Sequence, residues 1–209
     1  MQTTLLLFGG SILHGSWDPE GSGWGQRLRK QLEERSSNER LYVVYNLGIC
    51  GDTSAQLLAR FSSEAQCRLR RTDRTVVLFG VGVNDAKHNT ETGGYRVSLA
   101  EYRQNISSLI EEARRVTSYI ACMSILPIDE TKTRPLPWNH AEELRSADVD
   151  EYDAVLQDVC MKSEAPYLAL RDLPWPPESF DDGLHPNTAS HERIAERVMS
   201  KLDELRWLL

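Results

Sequence analysis

The feature that most constrains this chain is the end-to-end alternation of short apolar runs with longer segments of helical period. Thr4 to Phe8, Leu41 to Tyr45, Thr75 to Phe79, Tyr119 to Leu126 and Tyr167 to Leu170 each read as a strand. The first and third are nearly continuous in apolar residues, the pattern of strands covered on both faces. Between them, Trp24, Leu28 and Leu32 recur at i, i+4 and i+8, one face of a helix. Thr53 with Gln56 forms a capping-box signature ahead of Leu57, Leu58 and Phe61. Three more stripes follow: Leu99, Tyr102, Ile106, Leu109 and Ala113; then Val149, Tyr152, Leu156 and Val159; then Ile194, Val198, Leu202 and Leu205. The last helix should be capped by Asn187 or Thr188. Strand–helix alternation of this kind predicts an α/β chain. The expected architecture is a single-domain three-layer α/β/α sandwich with a five-stranded parallel sheet, flavodoxin-like, over residues 1–209. Only Pro127 to Ala147, with three prolines and Trp138, breaks the rhythm. A long irregular stretch in a compact domain is usually functional or mobile, and a substrate-side loop is expected there.

Composition narrows the function classes. A chain of 209 residues that is 40% hydrophobic fits one domain with a substantial core. Its longest apolar runs are too short to span a bilayer, and the N-terminus has no basic region followed by a signal-length apolar stretch. A cytoplasmic protein without membrane insertion is the expectation. A net charge of -7 disfavours nucleic acid as a partner. The basic run Arg68-Leu69-Arg70-Arg71 reads as a solvated helix end. Cys50, Cys67, Cys122 and Cys160 are scattered without a CxxC pair, which points to buried reduced thiols and away from zinc or a disulfide framework. His14, His88, His140 and His191 show no ligand-like spacing, so no metal is expected. The Gly9-Gly10 turn lacks G-x-G-x-x-G, so a nucleotide cofactor is not expected either. Oligomeric state has no signature in the sequence.

In a parallel sheet the loops after each strand gather at one carboxyl edge, where open α/β folds bind ligands. Gly9 to Ser11 follow the first predicted strand, Gly48 to Thr53 the second, Gly82 to Asp85 the third, and Asp182 to His185 the fifth. An acid three residues before a histidine can orient its ring and leave the other nitrogen to take a proton from a nucleophile. Ser11, at the far end of the chain, is the candidate nucleophile. Each residue also has a plainer reading: Ser11 as a cap, Gly51 as a positive-φ turn residue, Asn84 and Asp182 as turn residues. Asp52, Asp85 and Asp181 read as turn or cap residues, with Asp181 the rival to Asp182 beside the histidine.

Four blocks occur in order: Phe8-Gly9-Gly10-Ser11, Asn46-Leu47-Gly48-Ile49-Cys50-Gly51-Asp52-Thr53-Ser54, Gly82-Val83-Asn84-Asp85, and Asp182-Gly183-Leu184-His185-Pro186. The set resembles the SGNH hydrolase superfamily, the GDSL-type esterases and lipases. That resemblance implies a serine esterase or acylhydrolase that cleaves carboxylic esters of short acyl chains through an acyl-enzyme and needs no cofactor. It further implies Ser11 as nucleophile, His185 as base, Asp182 as its acid partner, and an oxyanion hole made by Ser11, Gly51 and Asn84. The substrate would be a small-molecule ester. One position departs: Gly10 stands where the family usually has an acidic residue or asparagine, removing a side chain able to brace the turn. The departure motivates an alternative, a weakly active or non-catalytic ligand-binding protein on the same fold. Trp17, Trp24 and Trp138 stand either as pocket lining or as core packing.

Overall fold

Pleating sends alternate side chains of β1 (Gln2–Gly9) to opposite faces, and both faces are apolar. Leu5 and Leu7 enter one core with Val76, Leu78, Trp24, Leu28, Ile194 and Val198. Leu6 and Phe8 enter the other with Val77, Phe79, Leu57, Phe61, Tyr102 and Ile106. A strand buried on both sides must lie inside a sheet that is itself covered on both sides. The computed structural model describes residues 1–69 and 72–208, and it has that form.

After β1 come α1 (Ser11–His14), α2 (Trp24–Glu34), β2 (Leu41–Gly48), α3 (Ser54–Gln66) and β3 (Arg74–Gly80). The chain continues through β4 (His88–Asn89), α4 (Leu99–Arg114), β5 (Tyr119–Met123), α5 (Glu130–Thr133) and β6 (Glu142–Glu143). It ends with α6 (Ser146–Lys162), β7 (Tyr167–Leu168) and α7 (Thr188–Glu204). Five strands form one parallel sheet in the order β2-β1-β3-β5-β7. Phe8 sits between Leu47 of β2 and Phe79 of β3. Helices α2 and α7 pack together over one face, and α3, α4 and α6 line up over the other. The strand order reverses between β1 and β3, the crevice in which doubly wound sheets hold ligands.

Caps follow the sequence signals. Thr53 and Gln56 close the capping box of α3, and Asn187, not Thr188, caps α7 by accepting from the Ser190 N–H. The strands differ in length from the apolar runs. β5 stops at Met123, short of Leu126, and β7 at Leu168, short of Leu170. Side chains take over the ladder there: the Ile125 N–H donates to Asp153 Oδ1 at 2.8 Å and the Leu170 N–H to Ser124 Oγ at 2.9 Å.

The segment from Pro127 to Ala147 is not structureless. It holds α5, and β6 just inside its end pairs antiparallel with β4 as a small second sheet. Two-residue strands are too short to leave a period in the sequence. Cys122 and Cys160 are buried, and the hydrogen bond between them pushes the Cys122 thiol well above its usual range. Cys50 and Cys67 are exposed, contrary to expectation, because one lies in a surface turn and the other at the end of α3. Arg68 Nη1 donates to the Glu64 carbonyl at the end of α3, whereas Arg70 and Arg71 lie outside the described residues.

Phe61 packs with tilted rings against Phe8 and Phe79 at centroid distances of 4.9 and 5.4 Å with almost no exposure. Phe61→Ala should cost about 3–5 kcal/mol, or roughly 6–20 °C in Tm for a chain of this size. Met161→Ala, at a side chain 71% exposed, should stay within about 0.5 kcal/mol. Scanning calorimetry on both variants reads the difference, and equal melting shifts would contradict this packing.

Candidate active site

Ser11 is the first residue of α1, reached directly from the end of β1. The first amide N–H groups of a helix have no intrahelical acceptor and point outward. Its side chain is turned to the chain's other end: Ser11 Oγ lies 2.8 Å from His185 Nε2. His185 Nδ1 in turn lies 2.6 Å from Asp182 Oδ2. Asp182 Oδ1 accepts from the backbone N–H groups of Leu184 at 2.9 Å and His185 at 2.8 Å. With Nδ1–H donating to Asp182, Nε2 is left to accept the Ser11 hydroxyl proton. Burial alone would raise the Asp182 carboxyl, but the His185 ring and the two backbone donors outweigh it and hold it below the ordinary carboxylate range. Asp181 is exposed, so the partner of the ring is Asp182.

The Asp182 turn depends on one glycine. Gly183 adopts φ 86°, and a Cβ there would stand 2.8 Å from the Asp129 carbonyl and from Lys132 and Thr133 side-chain atoms. The irregular segment therefore packs directly on the turn, with the Asp129 N–H donating to the Gly183 carbonyl at 2.8 Å. From that segment Trp138 comes over His185 at a centroid distance of 5.6 Å, and Trp17 approaches from α1's side at 6.4 Å. Both indoles are exposed, at 46% and 57%. Trp24 is buried in the core and also lines an apolar cavity beside the site, and its backbone N–H donates to His191 Nδ1.

Gly51 occupies the third position of the turn Ile49–Asp52, which is closed by an Asp52 N–H to Ile49 carbonyl bond of 3.2 Å. Its φ of 85° is what the turn needs; a Cβ would meet no atom within 4 Å, so conformation and not space calls for glycine. Asn84 is buried, and its side-chain amide donates to the Asp52 carbonyl at 2.9 Å. An amide has two N–H donors, so one remains. Gly10, Ser11, Asp52 and Asn84 line one cavity of about 20 Å³, while Gly51 lies one residue outside that lining. A neighbouring apolar cavity of about 50 Å³ shares Ile12, Val81, Gly82 and Val83 with it and extends to Ile125 and Leu126.

Asp85 is a cap, but for a distant helix. Its carboxyl accepts from the Ser54 N–H at 2.9 Å and the Ser54 hydroxyl at 2.5 Å, tying the Asn84 loop to the start of α3. Burial pushes this carboxyl up to about 6. Arg60 was not legible in the sequence, since nothing marks a surface-facing arginine on α3 as special. Its guanidinium donates to the carbonyls of Leu47 at 2.9 Å and Gly9 at 3.3 Å and to Asp52 Oδ2 at 2.7 Å, tying the ends of β1 and β2 to the Gly51–Asp52 turn. At Gly10 a Cβ would lie 3.2 Å from Asn84 Nδ2. A side chain there would meet that amide; in this chain the Asp52 carbonyl and Arg60 hold the region instead.

The sequence and the fold have counterparts among known proteins. A sequence profile of the GDSL-like Lipase/Acylhydrolase family matches residues 7–193. The chain belongs to this family. It is a GDSL-type carboxylic ester hydrolase. Esterase TesA of Pseudomonas aeruginosa is 27% identical over 203 residues, covering 97% of this chain and 89% of that protein. The Escherichia coli protein named thioesterase 1/protease 1/lysophospholipase L1 is 24% identical over 205 residues, covering 97% of this chain and 84% of that one. The acetylxylan esterase Axe2 of Geobacillus stearothermophilus has a similar fold, with TM-score 0.73 at 20% identity over 95% of this chain and 93% of that one. No helix among the described residues of this GDSL-type chain is long and apolar enough to cross a membrane.

Asp85 and His191 have opposite effects on stability in one pH window. The Asp85 carboxyl is raised to about 6, so its contribution is full below the ordinary carboxylate value of about 3.9 and is lost as pH rises through 6. Burial holds the His191 ring down at about 4, so stability from it grows as pH rises from there towards the ordinary histidine value of about 6.5. Asp85→Asn should remove the first effect and leave the second. Its unfolding free energy should then climb by roughly 2 kcal/mol more than that of the wild type between pH 4 and 6.5. Urea melts across that range test this, and parallel profiles would contradict it.

Proposed function

We propose that the chain is a single-domain serine esterase in which Ser11, His185 and Asp182 act as nucleophile, base and orienting acid. The observation that carries this reading is the unbroken line Asp182 Oδ2, His185 Nδ1, His185 Nε2, Ser11 Oγ, with contacts of 2.6 and 2.8 Å. Ser11 Oγ attacks the ester carbonyl as its proton passes to His185 Nε2, and Asp182 stabilises the imidazolium that results. The C–O bond of the tetrahedral adduct then breaks, His185 returns the proton to the departing alcohol, and an ester on Ser11 remains. Water, deprotonated by His185 in its turn, cleaves that ester and restores the hydroxyl. Negative charge on the former carbonyl oxygen is met by the N–H groups of Ser11 and Gly51 and by the free Asn84 amide hydrogen. One such donor is worth about 3 kcal/mol, or roughly a hundredfold in rate.

The apolar cavity beside Ser11 supports a short acyl chain. A water-sized group needs about 10–15 Å³ of such space. The 50 Å³ present therefore suits an acyl group of a few heavy atoms, not a fatty acid. Relatives named as an esterase and an acetylxylan esterase fit this class.

Ser11→Ala and His185→Ala should each reduce kcat for 4-nitrophenyl acetate by roughly a thousandfold or more with an unchanged melting curve. Full activity in either variant would contradict the assignment. Asn84→Ala should lower kcat by about a hundredfold while KM changes little. An effect confined to KM would instead make Asn84 a binding residue. A ligand-binding protein on this fold would show no Ser11-dependent turnover at all.

A further inference from the structure

Lys87 follows Asn84 by three residues and is 4% exposed, an unusual place for an ammonium group. Its Nζ lies 5.6 Å from the centroid of the Trp138 ring. The same ring stands 5.6 Å from His185, so Lys87 and the candidate base both neighbour one indole. Among the described residues the ammonium makes no hydrogen bond or ion pair. Two carboxylates act on it electrostatically, Glu142 and Asp182, and both are engaged elsewhere. Arg96 holds Glu142 with two hydrogen bonds of 2.6 and 2.7 Å, and Asn139 adds a third at 3.0 Å. Asp182 accepts from Leu184 and His185. Burial, with the Arg96 charge added, lowers the Lys87 ammonium to about 8, so it remains charged at neutral pH but poorly solvated.

An ammonium that forms no hydrogen bond or ion pair keeps its donors free for an anionic part of a substrate. The place of Lys87 says which part of a substrate that is. His185 hands its proton to the departing alcohol oxygen, so the alcohol half lies on the side of His185 flanked by Trp138 and Trp17. The acyl half faces away, towards Ile12, Val83 and Ile125.

We propose that Lys87 and Trp138 form an anion subsite for the alcohol half of the substrate, so that the enzyme prefers esters whose leaving group combines a flat or apolar body with a carboxylate or similar anionic group. The body stacks on the exposed indole and the anion completes the Lys87 ammonium. This rests on the esterase reading above, since it uses the side of Ser11 on which His185 releases the alcohol.

The test is a matched pair of acetyl esters, 4-acetoxybenzoate and 4-acetoxybenzamide, which share an acyl group and differ in the charge of the leaving phenol. Wild type should favour the carboxylate in kcat/KM by roughly tenfold or more, the scale of one hydrogen bond to a charged group. Lys87→Met should collapse that preference, cutting kcat/KM for the carboxylate at least tenfold more than for the amide. A second measurement needs no variant: benzoate should inhibit the wild type competitively at concentrations where benzamide does not. Equal kcat/KM for the two esters in wild type, an unchanged ratio in Lys87→Met, or equal inhibition by the two probes would overturn the subsite while leaving the esterase intact. Hydrolysis of neither ester would instead overturn the esterase reading itself, and the subsite with it.

Discussion

Everything at the site depends on the complete burial of β1 on both faces. Leu5, Leu6, Leu7 and Phe8 show no exposure, so their strand must be central in a sheet covered by helices on each side. At roughly 1.5–3 kcal/mol per fully buried large apolar side chain, this one strand supplies a share of stability comparable to the whole net stability of a domain. That burial pins the position of Gly9, the last residue of β1 paired with β2 and β3, and so of Ser11 two residues beyond it. The reversal of strand order between β1 and β3 then opens the crevice at that point, with Asn84 on its far side. Precision at Ser11 is inherited from the core.

What the core cannot supply, a small set of polar ties does. Arg60 holds the carbonyls at the ends of β1 and β2 together with Asp52, and Asp85 holds the first turn of α3 to the loop that carries Asn84. Gly183 allows the irregular segment to close on the Asp182 turn, which fixes His185 from the opposite direction. Rigid support on three sides suits hydrolytic chemistry, because oxyanion donors and a general base contribute only when they are already in place as charge develops. With glycine at position 10, no side chain from that position reaches Asn84; its amide is anchored on the Asp52 carbonyl, and Arg60 secures that stretch of chain.

The sheet was legible because buried parallel strands leave continuous apolar runs, and the crossover helices because their stripes recur every three or four residues. The meeting of Ser11 with His185 was legible for a related reason: once the strands are counted, loops 174 residues apart must share one edge. Strand ends at Met123 and Leu168 were not readable, since Asp153 and Ser124 side chains replace backbone partners through contacts with no local pattern. Nor were β4 and β6, which are too short to show a period. Arg60 and Lys87 escaped for another reason. Their importance lies in which carbonyls and rings surround them, and a single charged residue looks the same in sequence whether solvated or enclosed. Asp85, expected in a turn or cap, does cap a helix, but one more than thirty residues away.

The most direct measurement is mass spectrometry of the intact protein and its peptides after treatment with a serine-directed organophosphonate. A single stoichiometric adduct on Ser11, formed in step with loss of ester hydrolysis, is expected, because among the described residues only that hydroxyl is coupled to a buried histidine–aspartate pair. Hydrolysis that persists in protein carrying the Ser11 adduct, or an adduct on a different residue that accompanies its loss, would contradict it.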